Sequence, residues 1–547
     1  MGFVMGGRLL AKMLKAEGVK HIFTLSGLHV APVYDGCLDE GIQVIDTRHE
    51  QAAAHAADAY ARLRRGIGVA VVTAGPGVTD AVTGIANAKA AESPVLLIGG
   101  AAPQALATKG ALQETEQVAL LRPITKLSQR VERAELIPAY VASAIRAMTT
   151  GRPGPAFLEI PWDILSENVD EERVTIPRSY RPKGRRLADP ELAAAAATRL
   201  AEAERPVLMV GNSIHWDQAH EEALELARKL DLPLYFNGMA RSCFDVADPH
   251  VFVKSRREAL LECDAVLFVG TPLDFRLGYG NEATLSGTAV VAAIDTDGSE
   301  LGRNRDIQIP LIGDAKSVLT QVLHHARPAK HGGWRDRLRA IEVSSLEKQR
   351  ARELQHGMPM SHFAFARGVA DALEDDTIIV ADGGNIVSVT AKVVDRKLPG
   401  TWLDPGPFGC LGVGAPFALA AKLLYPERKV LVVQGDGSFG LNGFDYDTCL
   451  RFNCPVTVVV GNDAAWGQIW LPQKALYGHD RAVGTLLSPT RYDKIVEAMG
   501  GVGYHVEDPQ ALAGTIKKAM AMETVTCVNV PIDPLALEGA GGGAYAI

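Results

Sequence analysis

Short apolar runs alternating with alanine-rich stretches organise this chain. Runs at 42–46, 69–73, 95–98 and 156–160 are separated by helical stretches such as 51–63 and 80–91, the pattern of a mostly parallel sheet with helices on both faces. A first domain is therefore predicted over residues 1–165. Residues 166–187 are polar, carry two prolines and read as a linker. A second α/β pattern follows over 188–325, with strands near 206–210, 234–236, 265–269 and 290–294. Beyond a His/Gly/Pro-containing segment and a charged helix, a third occupies 355–535, with strands at 378–381, 430–433, 456–460 and 525–530. The expected fold class is α/β, with three doubly wound parallel-sheet domains. The glycine-rich tail within 536–547 reads either as a lid over the site or as a free end.

Composition agrees with a large enzyme. The chain has 547 residues, enough for about three domains of typical size, each with its own core. A formal charge of −8 argues against nucleic acid as a partner, although local basic clusters can still hold anions. The seven cysteines are scattered and mostly set in apolar runs, so they read as reduced core residues rather than a disulfide framework or a zinc site. Residues 1–8 lack the basic and apolar regions of a signal peptide, and no run of 18 apolar residues occurs. These features predict a cytoplasmic protein with no membrane partner.

The chemistry is concentrated at strand ends. Gly435-Asp436-Gly437-Ser438 closes the apolar run 430–433, and Gly461-Asn462-Asp463 closes the next. A glycine-flanked aspartate at one strand tip and an Asn-Asp pair at the next describe a hard-cation site that would hold a diphosphate through Mg2+. Upstream stand Asp46-Thr47-Arg48-His49-Glu50-Gln51-Ala52-Ala53 and Thr73-Ala74-Gly75-Pro76-Gly77.

Together these motifs resemble the thiamin diphosphate-dependent enzymes of the acetolactate synthase-like family, and the resemblance spans nearly the whole chain. It implies that the first and third domains are similar folds. It implies too that Glu50 engages N1′ of the cofactor, where burial among apolar neighbours would raise its pKa. Asp436, Asp463 and the backbone carbonyl of Ala465 would bind Mg2+. Asp463 is a departure, since the family usually has a second asparagine there. Gly383-Gly384-Asn385 would meet the diphosphate with backbone and side-chain donors. Gly75, Gly435, Gly437, Ser438, Trp466 and Gly467 belong to the same cofactor-binding set. In Gly409-Cys410-Leu411-Gly412, the carbonyl of Gly409 would accept from the 4′-amino group and Leu411 would hold the cofactor bent.

Substrate selection is where such enzymes diverge. Leu28-His29 replaces the Gly-Ala pair typical of acetolactate synthases, Leu112-Gln113 stands where they carry Phe-Gln, and Pro472 stands where a synthase tryptophan favours a second 2-ketoacid. A histidine at the place of His29 is similar to the 2-hydroxyacyl-CoA lyase and benzaldehyde lyase branch. His29 and Gln113 could then hydrogen-bond the oxygens of an acyloin-like adduct. In the middle domain, Lys254, Arg256, Arg257, Arg276, Arg303, Arg305 and Asp295 suit ADP, FAD or the nucleotide of CoA, and solvated surface charge explains the set equally well. The resemblance thus implies cleavage of a 2-hydroxyacyl-CoA to an aldehyde and formyl-CoA. The alternative is an acetolactate synthase-type or benzaldehyde lyase-type carboligase. A homodimer or homotetramer is expected, with Glu50 and Asp436 of different subunits sharing each site.

Overall fold

The computed structural model describes residues 2–355 and 357–538; the glycines and final residues of the expected C-terminal lid lie outside the described residues. Three parallel sheets form the architecture, of six, five and six strands. In chain order the first sheet contains His21–Thr24, Gln43–Asp46, Gly68–Val72, Val95–Ala101, Leu127–Arg130 and Ala156–Pro161. The third contains Ile378–Asp382, Trp402–Leu403, Val430–Gly435, Thr457–Asn462, Val502–His505 and Thr526–Pro531. Numbered along the chain, both run 2-1-3-4-6-5 across the sheet, so the expected likeness of the two outer domains is met strand for strand. The middle sheet, Pro206–Val210, Leu234–Phe236, Ala265–Val269, Val290–Asp295 and Ile309–Ile312, runs 2-1-3-4-5. In every case the order reverses between strands one and three. Ligands of such sheets bind in the crevice beyond the carboxyl ends of those strands.

The central strands are mostly apolar and buried on both faces, as in Val430–Gly435, where Gln434 is the one polar residue, and Gly68–Val72. Strands that the periodicity did not reveal sit mostly at sheet edges. Leu127–Arg130 and Val502–His505 carry polar residues, and Trp402–Leu403 is two residues long. The segment read as a linker is partly built into the first domain. Asn168–Asp170 pairs antiparallel with Phe3–Met5, and Tyr180 and Arg181 both contact Glu17. All seven cysteines are free and buried. Among the described residues no helix is long and apolar enough to cross a membrane.

One core cluster joins the outer domains. Helix Glu50–Arg64 is alanine-rich and buried on nearly every side, and it packs against helix Gly414–Leu424 of the third domain. Small side chains let the two backbones approach closely. Arg62, 2 % exposed, pins this joint. Its Nε and Nη2 donate to Asp58 at 2.8 and 2.6 Å, its Nη1 to the carbonyl of Asp404 at 2.7 Å, and its guanidinium lies 5.1 Å from the centre of the Phe417 ring. The carbonyl of Arg62 meets Nε2 of His215 at 2.8 Å, so residues of all three domains converge here. Burial holds the His215 imidazole well below its ordinary pKa, at about 4, so it is neutral and donates from Nε2. Arg62→Met should cost about 3–5 kcal/mol of stability, because it strands the Asp58 carboxylate in the core. Arg62→Met/Asp58→Asn, which removes the stranded charge, should recover most of the loss in urea unfolding. A loss under about 1 kcal/mol in the single variant would show the pair to be dispensable.

Candidate active site

The third-domain residues named from the sequence converge on one cavity of about 190 Å3. Its walls include Gly383, Gly384 and Asn385 after strand one of that sheet, Gly435 to Ser438 at the end of strand three, and Asp463, Ala465, Trp466 and Gly467 after strand four. Gly409 and Leu411 close one side. Parallel strands in register bring these loops to one edge, since Asp382 pairs with Gln434 and Gly435 with Gly461.

The cavity's polar atoms are arranged for a ligand. Asp436 is buried at the first residue of helix Asp436–Asn442; its Oδ1 accepts from the N–H of Gly437 at 2.9 Å, while its Oδ2 has no hydrogen-bond partner among the described residues. Burial and the neighbouring Asp463 carboxylate push the Asp436 pKa upward. Two buried carboxylates facing each other are unfavourable alone and are relieved by a cation between them. Asn385 Nδ2 is also buried without a partner. A side chain at Gly437 would bring a Cβ within 2.5 Å of the Trp466 ring, so this turn admits only glycine beside the cavity. Among the described residues there is no cluster of three or more His, Cys, Asp or Glu side chains that could hold a metal. The donor set therefore fits a cation completed by carbonyl and phosphate oxygens rather than a site closed by protein alone.

A network missed in the sequence holds the cavity's far wall. Asp382, fully buried, accepts from the N–H groups of Gly412 and Gly414 at 3.1 and 2.8 Å and from Gln434 Nε2 at 2.9 Å. Burial still pushes its pKa up to about 6. Asn442 donates to the carbonyl of Gly412 at 2.8 Å, so the turn carrying Gly409 and Leu411 is held at its C-terminal end. Asp382 directly precedes the Gly383-Gly384 turn, which was the available signal.

The first-domain residues form a second group. Glu50 begins helix Glu50–Arg64 and is 6 % exposed; burial, with a contribution from Asp80, raises its pKa. Next to it the Thr73 hydroxyl lies 3.0 Å from His29 Nδ1 and 3.4 Å from Gln113 Oε1. Burial lowers the pKa of His29, which favours the neutral imidazole. Gly75 adopts φ 57°, and a Cβ there would stand 2.7 Å from the carbonyl of Gln113. Its N–H donates to Gln117 Oε1 at 2.7 Å, and Gln117 in turn donates to Glu159 and to the Gly100 carbonyl. Gln117 carried no sequence signal, because its partners lie on strands distant along the chain. Leu28 and Leu112 are 77 % and 78 % exposed, so neither is covered by its own chain. No first-domain residue is among those lining the third-domain cavity. Pro472 lies inside helix Gly467–Tyr477, partly exposed.

The basic residues of the middle domain divide between two places rather than forming one site. Arg303, Arg305 and Asp295 line a small cavity of about 40 Å3, where both oxygens of Asp295 are engaged by Arg152, a residue of the first domain. Arg256 and Arg276, joined by Arg241, face a different cavity of about 410 Å3 between the middle and third domains. That cavity shares Gly383, Gly384, Gly409 and Leu411 with the Asp436 cavity, so the two lie side by side. Lys254 donates to the carbonyl of Lys392, and Arg257 is exposed.

Comparison with known proteins agrees along the whole chain. Residues 4–120 match the family described as thiamine pyrophosphate enzyme, N-terminal TPP binding domain; 193–322 match its central domain, and 382–530 its C-terminal TPP binding domain. The acetolactate synthase large subunit IlvG of Mycobacterium tuberculosis is 38% identical over 535 residues, 96% of each chain. 2-Hydroxyacyl-CoA lyase 2 of Caenorhabditis elegans is 37% identical, covering 92% of this chain and 85% of its own. The human protein of that name is 35% identical over 91% of this chain and 84% of its own.

Proposed function

The chain belongs to the thiamin diphosphate-dependent enzymes, and within that family we propose that it is a carbon–carbon lyase cleaving 2-hydroxyacyl-CoA to an aldehyde and formyl-CoA. The observation that carries this reading is the 410 Å3 cavity beside the Asp436 cavity, with Arg241, Arg256 and Arg276 on its walls. Arg276 is neutralised by Asp274 at 2.6 Å, and Arg241 donates to the carbonyl of Ala391 at 2.7 Å. Arg256 has no ion pair among the described residues. Such a wall suits a substrate whose far end carries phosphates, and binding energy gained there can be used at the reacting centre.

Thiamin diphosphate, when bound, supplies the carbon that stabilises an acyl carbanion. Asn385 and the Gly383-Gly384 turn would hold its diphosphate, and Asp436, Asp463 and the Ala465 carbonyl would hold Mg2+. Burial raises the pKa of the Glu50 carboxyl, which would share a proton with the pyrimidine ring. His29 and Gln113 hydrogen-bond the hydroxyl and carbonyl oxygens of the substrate, and the Thr73 hydroxyl orients both. The first-domain group and the third-domain cavity complete each other across two chains in this reading, which makes a dimer the smallest active unit. ADP or FAD in the middle domain would have to displace Arg152 to use Asp295. The identity to the mycobacterial acetolactate synthase favours a second reading, carboligation of 2-ketoacids in the same site.

Arg256→Ala tests the role of the large cavity. The kcat/KM for a 2-hydroxyacyl-CoA should fall about tenfold, while that for a free acyloin such as benzoin stays as it was. Equal effects on both substrates would remove the cavity from the substrate path.

A further inference from the structure

His362 begins helix His362–Ala372 and is 1 % exposed, yet neither of its ring nitrogens has a hydrogen-bond partner among the described residues. Its Nε2 stands 3.7 Å from Oδ2 of Asp463, a separation that a small side-chain rotation converts to an N–H···O hydrogen bond. A buried polar group left unpaired is costly, so an imidazole with two idle nitrogens beside a buried carboxylate calls for a reason.

Asp463 supplies it. An amide ligand at this position carries its own N–H donors, whereas a carboxylate has only acceptors and needs a donor for the oxygen turned away from the cation. Oδ1 of Asp463 accepts from the N–H of Ala465 at 3.2 Å, which leaves Oδ2 without a backbone partner of this kind. On Oδ2's other side Gly467 leaves little room, since a Cβ there would lie 2.7 Å away. We infer that His362 is a positioning residue, donating from Nε2 to Oδ2 of Asp463 and fixing the rotation of that carboxylate. The pair His362 and Asp463 thus replaces an amide by a carboxylate plus the donor that the carboxylate lacks. This inference rests on the proposal that Asp436 and Asp463 bind the cation.

The test is a calorimetric titration of Mg2+ into the full-length protein with thiamin diphosphate in excess, which needs no turnover. His362→Phe should weaken Mg2+ binding about tenfold, as loss of a hydrogen-bonded support behind a ligand commonly does. His362→Asn, which keeps an N–H donor, should stay within about threefold of the wild type. In an Asp463→Asn background, His362→Phe should change the affinity less than about twofold, because the amide no longer needs the donor. Unchanged affinity in His362→Phe, or equal losses in the two backgrounds, would overturn the inference. So would a tenfold loss in His362→Asn, the deciding variant if His362→Phe does not fold. Asp436→Ala separates the two layers of the argument. If that variant binds Mg2+ like the wild type, the cation site itself is misassigned, whatever His362 does.

Discussion

Glu50→Gln should leave the protein folded and cofactor bound but lower kcat by about two orders of magnitude or more, the scale expected when a positioned acid–base group is lost. Glu50 sits at the start of a helix with its carboxyl buried, and burial raises its pKa, which favours a shared proton over a fully ionised carboxylate. Glutamine keeps the shape and the polarity but cannot give up or take a proton. The loss should therefore appear in kcat and in the rate of hydrogen–deuterium exchange at C2 of the bound cofactor, with cofactor affinity little changed. A kcat near that of the wild type would contradict the role given to Glu50.

Residues at strand ends were legible in the sequence because turns beyond parallel strands combine fixed spacing with demanding residue types. Gly435, Asp436, Gly437 and Asp463 could be placed for that reason, and they share a cavity in the structure. The interior strands were legible too, since burial on both faces leaves them mostly apolar. Edge strands such as Leu127–Arg130 were not, because pairing on one side tolerates polar residues. His21–Thr24 is an exception, an interior strand of only four residues that opens on a histidine.

What the sequence hid were contacts between elements far apart along the chain. Arg241 reaches the large cavity only because the middle and third domains meet there. Arg152 leaves the first domain to occupy Asp295, so a residue that resembled a nucleotide ligand is already engaged. His362 looks like one more residue of an amphipathic helix until Asp463 is seen beside it. Spacing along one strand or helix carries no information about such meetings.

The second large effect concerns the substrate. The resemblance read from the sequence implies that His29, Leu112 and Pro472 each stand where a synthase carries a different residue, and the proposed reading gives the arginine-lined cavity to a ligand larger than pyruvate. In the proposed reading the CoA end of a 2-hydroxyacyl-CoA meets Arg256, which would give it remote binding energy that the free 2-hydroxy acid lacks. Homocoupling of pyruvate should accordingly be slow, and condensation of formyl-CoA with an aldehyde should be detectable as the reverse reaction. The decisive measurement is kcat/KM for a 2-hydroxyacyl-CoA, benzoin and pyruvate under one set of conditions, with thiamin diphosphate and Mg2+ saturating. The account predicts that the thioester leads pyruvate by about tenfold or more, a difference of roughly 1.4 kcal/mol in transition-state stabilisation. A lead of that size for pyruvate would contradict the lyase reading and establish the synthase in its place.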